Sequence, residues 1–276
     1  MPRMRRLALG AGLAGVLLVP MRAQAGLTIT TQRGNDPVAT LYVEGDHFKA
    51  DEPKKAEATS VIVDAKAKKV IMIDATKRTY TEMTEEDRKR MRGQMDAMRA
   101  QMQERMKNMP PDQRAKMESM MGPPGAADAG KPHDWKFESM GQKKTINGFA
   151  CEMYRVSEDG KLSEEQCVSP WSAGLVKKSD FAGIQAFAES MMEDFGGHRA
   201  RSGSMFSRIE KAPGIPISRV PIDANGQRGE EEQIKSIKRG AVAESMFGIP
   251  SGYTKKDLPA FGPGMGGHHH GGPPHP

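Results

Sequence analysis

The feature that most constrains this chain is a segment, residues 84–121, whose apolar side chains are almost all methionine. Leu, Ile, Val, Phe and Trp are absent from it. With about 100° of rotation per residue, six of these methionines fall within an arc of roughly 80° and form a stripe roughly 27 Å long. The stripe predicts an amphipathic helix with a thioether face, and its members are Met91, Met95, Met98, Met102, Met106 and Met109.

Local sequence signals predict where this helix begins and ends. Thr84 is a good N-cap residue, and the three acidic residues that follow it complement the helix dipole. Pro110 and Pro111 interrupt the helix, and a shorter one is predicted over residues 112–121. The charged residues of the segment, Arg88 among them, are interpreted as a solvated face.

Three hypotheses account for the methionine stripe. In the first, the helix packs its apolar face on the rest of the fold, with methionine filling irregular gaps. In the second, the flexible thioethers form a lid or contact surface for an acyl chain or another apolar ligand. In the third, the thioethers bind Cu(I), and imidazoles of the C-terminal tail bind other metal ions; the tail histidines are His268, His269 and His270.

The N-terminus has the pattern of a cleaved signal peptide. Three arginines precede an apolar run at residues 7–19, and Ala23-Gln24-Ala25 supplies the small residues of a cleavage site after Ala25. The run is too short to span a bilayer, and no later segment is long and apolar enough. The sequence therefore predicts residues 1–25 as a signal peptide and an exported, periplasmic product with no stable membrane anchor.

Export changes the meaning of the charge. The formal net charge is +6, but four arginines lie in the predicted signal peptide, so the exported part carries only about +2. A basic surface is the electrostatic requirement for binding nucleic acid. We therefore do not expect a nucleic-acid partner.

The two cysteines, Cys151 and Cys167, are predicted to form a disulfide bond, since exported proteins meet an oxidising compartment. They lie in two predicted strands joined by Glu158-Asp159-Gly160. A three-residue turn there would place the two cysteines directly opposite each other. In the chain-entropy model such a crosslink stabilises the fold by about 3 kcal/mol.

The remaining patterns predict a β-rich domain over residues 26–258. Short alternating runs before residue 82 and after residue 134 indicate about 11 strands, and a second helix is predicted over residues 180–195. Pairs such as Val61/Val63 and Ile71/Ile73 indicate a sheet with one buried and one wetter face. Residues 259–276 are rich in Gly, Pro and His and are predicted to be disordered. The fold class is α+β, mainly antiparallel, with helical insertions.

Several motifs together resemble a known family. They are the Gly-aromatic-x-Cys-x-x-Tyr strand at residues 148–154, Val168-Ser169-Pro170-Trp171, and the closing residues 247–253. The resemblance is to exported bacterial proteins classified as a domain of unknown function, similar in expected architecture to lipoprotein carriers of the LolA/LolB kind. It implies a strongly curved half-barrel whose concave face is covered by helices. It implies no catalytic residues.

No motif indicates an enzyme. The sequence has neither G-x-S-x-G nor H-E-x-x-H, and no glycine-rich phosphate loop. No cofactor is indicated. The sequence therefore favours a non-enzymatic binding protein of the cell envelope that holds an apolar ligand, either a lipid, an acyl chain or a lipoprotein segment, under the methionine-rich helix. The alternative is a periplasmic copper or other metal-binding protein.

Overall fold

Twelve strands form one sheet in the computed structural model, which describes residues 26–53, 58–107, 110, 134–194, 208 and 210–258. The strand order is β12-β6-β5-β4-β3-β2-β1-β11-β10-β9-β8-β7, and every pair is antiparallel except β12 with β6. The strands are β1 Leu27–Arg33, β2 Ala39–Glu44, β3 His47–Pro53, β4 Ala58–Asp64, β5 Lys69–Asp74, β6 Thr79–Met83, β7 Trp135–Ile146, β8 Phe149–Glu158, β9 Lys161–Pro170, β10 Gly214–Pro221, β11 Glu232–Arg239 and β12 Thr254–Lys255.

Two meanders meet in the middle of this sheet. Strands β1 to β6 follow one another in sequence, as do β7 to β11, and the two series join where β1 pairs with β11 over all seven of its residues. The strands β12 and β7 lie at opposite edges and do not pair, so the sheet is not closed. The predicted α+β, mainly antiparallel architecture is confirmed.

The sheet is strongly curved. Phe48 of β3 and Phe137 of β7 are seven strand positions apart, which in a flat sheet would be roughly 34 Å. Both side chains nevertheless line a single cavity of about 300 Å³. The concave face carries the main hydrophobic core, and α2 (Ala182–Asp194) packs into it through Ile184 and Phe187. The family resemblance implies helices over the concave face, although the helix predicted as the lid is the methionine-rich one rather than this one.

The convex face is buried in part as well, so the expectation of one wetter face is wrong for β4 and β5. Val63 and Val70 are paired and belong to the concave core. Their neighbours in sequence, Ile62 and Ile71, are paired on the other face and form a second core with Ile73. The chain after β11 covers this second core; the covering residues are Phe247, Ile249 and Tyr253. A segment distant in sequence thus buries the convex face as well, and the pairs Val61/Val63 and Ile71/Ile73 lie on opposite faces of the sheet.

The disulfide between Cys151 and Cys167 is confirmed, with a Cα–Cα distance of 5.3 Å. The predicted register is wrong. Asp159 and Gly160 both have positive φ angles and form a two-residue turn, and a bulge follows next to Val156. Cys167 therefore lies opposite Met153 rather than Cys151. The disulfide joins diagonal neighbours on one face of the hairpin, which the twist of paired strands brings together.

Helix α1 (Glu85–Lys107) follows β6. Thr84 and Asp87 form a capping box: Asp87 N–H donates to Thr84 Oγ1 at 3.2 Å, and Thr84 N–H donates to Asp87 Oδ2 at 3.0 Å. Among the described residues, no helix has both the length and the apolar character needed to cross a bilayer. The predicted signal peptide, the second helical stretch at residues 112–121 and the C-terminal tail lie outside the described residues.

Candidate functional site

The cavity lies between the concave face of the sheet and the cover formed by α2 and the turns before it. Its volume is about 300 Å³, at the lower end of the range typical of ligand pockets. Most of its lining is apolar. The apolar lining residues are Ile29, Leu41, Phe48, Phe137, Trp171, Phe181, Ile184, Ala212, Ile215, Pro216 and Ile234.

The cover is fixed to the sheet by an ion pair between a buried carboxylate and an arginine at the surface. A 3₁₀ turn at Lys178–Phe181 leads into α2 and carries Asp180, whose side chain is 5% exposed. Arg239 at the end of β11 donates to Asp180 Oδ2 at 2.7 Å, and the Lys177 N–H donates to the same oxygen at 2.7 Å. A charged group that is this well paired and hydrogen-bonded holds one geometry. The pair therefore places Phe181 and Ile184 over the cavity.

One wall is built around Trp171, which follows β9 in a second 3₁₀ turn. Its indole N–H donates to the Ala212 carbonyl oxygen at 2.9 Å, so the ring presents its apolar body to the cavity. The Lys178 ammonium lies 5.7 Å from the ring centroid and donates to the Glu210 carbonyl oxygen at 2.7 Å. These contacts join the wall to the segment that precedes β10.

One part of the lining is polar. Gln166 on β9 and Arg219 on β10 are directly paired, and Glu232 on β11 is paired with Arg219. Arg219 donates to Glu232 at 2.9 Å, and its Nε lies 3.7 Å from buried Glu164. Arg208 forms an ion pair with Glu164 and stacks over the Trp135 ring at 5.0 Å.

Burial changes the acidity of Arg208. Desolvation, reinforced by the neighbouring positive charge of Arg219, lowers the pKa of Arg208 to about 10. The guanidinium is therefore still charged at neutral pH. Because Arg208 and Arg219 are both paired with glutamates, this end of the cavity is polar without carrying a free positive charge.

The concave face continues beyond the cavity as an apolar strip. Leu41, which lines the cavity, pairs with Ala50 of β3, Ala50 with Val61 of β4, and Val61 with Met72 of β5. Val61 and Met72 are 39% and 43% exposed, which is unusual for large apolar side chains on the inner face of a sheet. The strip extends the apolar surface from the cavity towards β6.

The methionine stripe lies apart from the cavity lining. Met91, Met95 and Met106 are half-buried, whereas Met98 and Met102 are 39% and 37% exposed. The described members of the stripe are absent from the cavity lining, and Met109 lies outside the described residues. The role of the stripe as a ligand surface stays a prediction.

The metal hypothesis also stays a prediction. Among the described residues, no group of three or more His, Cys, Asp or Glu side chains is arranged to hold a metal ion. His268, His269 and His270 lie outside the described residues.

Sequence patterns identify part of this site. The apolar face of the second helix and the Trp171 motif were visible, because helical spacing and a strand-ending Pro-Trp pair are local signals. The polar cluster was missed. Gln166, Arg219 and Glu232 occupy strands in which alternation suggests solvent, and only the pairing of three strands brings them together.

The fold and the cavity define an α+β protein with a curved antiparallel sheet that encloses an apolar pocket. The sequence matches the family described as domain of unknown function DUF4412 over residues 86–253, more than half of the chain. The chain belongs to this family. No curated protein shows a significant match to the sequence.

Solved structures give distant similarities. An uncharacterized conserved protein from Thermus thermophilus is 10% identical with a TM-score of 0.43, over 85% of this chain and 91% of that one. A chain of the Pseudomonas aeruginosa MucA/MucB complex is 12% identical with a TM-score of 0.32, over 82% of this chain and 56% of that one. A structure of MucB is 12% identical with a TM-score of 0.33, over 84% of this chain and 60% of that one. The chain thus spans about three fifths of the MucB chains.

Proposed function

We propose that this protein is an exported, non-enzymatic binding protein of the bacterial cell envelope that holds an apolar ligand in the cavity beneath α2. The observation that carries the proposal is the cavity itself, about 300 Å³ of mostly apolar space with a small polar end. This combination of apolar walls and a few placed polar groups is typical of small-molecule sites. The buried disulfide supports an oxidising compartment, in agreement with the predicted signal peptide.

The chemistry of the lining favours a flexible hydrocarbon over a rigid polar metabolite. Aliphatic and aromatic side chains from β1, β2, β3, β7, β10, β11 and the cover surround the space. Each methylene transferred into such a space gains about 0.8 kcal/mol, so affinity should rise about fourfold per methylene until the space is filled. The apolar strip through Val61 and Met72 offers a continuation for a chain longer than the cavity.

A cavity-filling substitution tests the proposal. Leu41 lines the cavity, and Leu41→Trp should occupy the space and reduce binding of a fluorescent alkyl probe at least tenfold. The matched control is Leu162→Trp, because Leu162 is 41% exposed on the surface and does not line the cavity. Urea unfolding of both variants checks that the fold survives.

Native mass spectrometry after gentle purification supplies the second readout. The intact protein should carry an apolar small molecule that Leu41→Trp lacks and Leu162→Trp keeps. Equal probe binding by the Leu41→Trp variant and the wild-type protein would show that the ligand does not occupy this cavity.

A further inference from the structure

The buried amide of Gln166 has an unmet hydrogen-bond requirement at the cavity. Gln166 is 2% exposed and is among the cavity-lining residues. Among the described residues, its Nε2 has no hydrogen-bond partner. A buried donor without a partner is unfavourable unless something else supplies the acceptor. An occupant of the cavity is in the right place to do so.

The charges next to Gln166 define which acceptors fit. Arg208 is paired with Glu164, and Arg219 with Glu164 and Glu232. Arg33, at the outer end of the same row, also pairs with Glu232, at 3.4 Å. The two guanidiniums that line the cavity, those of Arg208 and Arg219, are therefore balanced by two carboxylates, and the charge of Arg33, whose side chain is 53% exposed, is largely screened by solvent. A ligand carboxylate would lose its hydration on entering the cavity, and no unpaired cation in the described part of its lining would compensate for that loss.

We propose that Gln166 selects ligands whose alkyl chain carries a neutral carbonyl group, an acyl ester or an acyl amide, over the corresponding free carboxylate. This inference rests on the proposed function, because it names the head of the ligand whose chain fills the cavity. The side-chain amide donates Nε2–H to the carbonyl oxygen, and the chain extends along the apolar lining. Gln166 is thus a specificity-determining residue rather than a catalytic one.

The size of the effect follows from the hydrogen bond. One buried neutral hydrogen bond changes affinity by roughly five- to tenfold. An alkane of the same chain length lacks the carbonyl and cannot use Gln166. Substituting Gln166 by methionine keeps the length and volume of the side chain but removes the donor, and so isolates the hydrogen bond from the packing.

Competition against a fluorescent alkyl probe at pH 8 tests the proposal with four compounds of equal chain length. They are methyl palmitate, N-methyl palmitamide, palmitate and hexadecane. The wild-type protein should bind the ester and the amide at least fivefold more tightly than palmitate or hexadecane. In Gln166→Met the ester and amide should weaken by roughly five- to tenfold, and hexadecane should not change. A difference between ester and amide would show which acyl linkage the cavity favours.

Gln32→Met is the matched control. Gln32 does not line the cavity, and its Nε2 already donates to the Asp36 carbonyl oxygen at 3.0 Å, so this variant should keep the preference for neutral carbonyls. Palmitate binding as tightly as its methyl ester, or equal losses in both variants, would overturn the role of Gln166.

The comparison of methyl palmitate with palmitate needs only the wild-type protein, so it does not depend on the folding of either variant. Binding of hexadecane and the probe without any ester preference would overturn this inference alone. Failure of every compound and the probe to bind would overturn the proposed function too.

Discussion

Arg88 is buried in the structure, although its sequence context suggests an exposed side chain. Its position on a highly charged helix suggests a solvated side chain, yet it is 0% exposed. The guanidinium lies 5.4 Å from the Phe187 ring centroid of α2 and donates to the Lys68 carbonyl oxygen at 2.8 Å. One arginine therefore joins α1, α2 and the turn between β4 and β5. Helical spacing does carry a signal, because Arg88 lies three residues before Met91 at the edge of the methionine stripe, whereas Arg90 and Arg92 lie about 100° to either side of Met91.

Replacing Arg88 should loosen the first turns of α1. Arg88→Ala loses a charge-assisted hydrogen bond and a cation–π contact, and we expect the free energy of unfolding to fall by about 2–3 kcal/mol. Urea denaturation followed by circular dichroism measures this change. Arg92→Ala is the control, because Arg92 is half-exposed and its ion pair with Asp96 is long, 3.9 Å. The control should stay within about 0.5 kcal/mol of the wild-type protein. Equal stability of the two variants would contradict the role given to Arg88.

At the scale of elements, the start of α1 depends on a carboxylate. The Thr84 backbone N–H and hydroxyl both donate to Asp87, and Arg90 lies next to it, so the pKa of Asp87 is lowered from its ordinary value of 3.8. The unfolded chain therefore binds this proton more readily than the folded one. The stabilisation is complete above pH 3.8 and is lost as the pH falls through the lower folded-state pKa.

Asp87→Asn should therefore weaken α1 at neutral pH and flatten its acid dependence. The difference in unfolding free energy between the wild-type protein and this variant should be largest above pH 4 and shrink towards pH 2. Urea titrations at several pH values measure that difference. Asp96→Asn, in the middle of the same helix, controls for the loss of a helical carboxylate and should alter neutral stability by less than about 0.5 kcal/mol. A constant difference between wild-type protein and Asp87→Asn across this range would refute the capping argument.

The elements themselves were largely predictable, and their registers were not. Alternation located most strands of the sheet, and the methionine spacing with Thr84 located α1. The hairpin of β8 and β9 shows the limit. Asp159-Gly160 was recognised as a turn, but its two positive φ angles and the bulge beside Val156 shift the pairing by two residues. Bulges arise from cross-strand packing, which a single strand does not encode.

At the scale of the whole molecule, the cavity and the methionine stripe are separate features. The cavity is lined by seven strands and the α2 cover, whereas Met98 and Met102 remain exposed on α1. A sequence gives no view of this separation, because it depends on the pairing of β1 with β11, about 200 residues apart along the chain. The same long-range pairing assembles the polar cluster around Gln166.

Because the stripe and the cavity are separate, changes to the exposed methionines should affect the rate of ligand uptake but not the equilibrium affinity. Met98→Lys with Met102→Lys removes exposed apolar surface without touching the cavity. We expect the equilibrium affinity for an alkyl probe to stay unchanged, while uptake of the probe from lipid vesicles slows severalfold if the stripe receives the ligand. Stopped-flow fluorescence measures the uptake rate. Gln101→Lys with Gln103→Lys adds the same charge to exposed positions of α1 and should leave uptake unchanged. Equal uptake rates for the two double variants would show that the stripe has no role in ligand transfer.

The two ends of the sheet resist the addition of a further strand. On one side β12 is a parallel strand of only two residues, too short to template a neighbour. On the other, the long strand β7 is interrupted by a bulge around Gly141, and Lys143 and Lys144 follow directly after it. Short edges, bulges and lysines are the devices by which sheets avoid joining edge to edge. A protein made of twelve strands can therefore stay separate from its own copies in a crowded compartment, and a peptide partner has little opportunity to bind by extending the sheet.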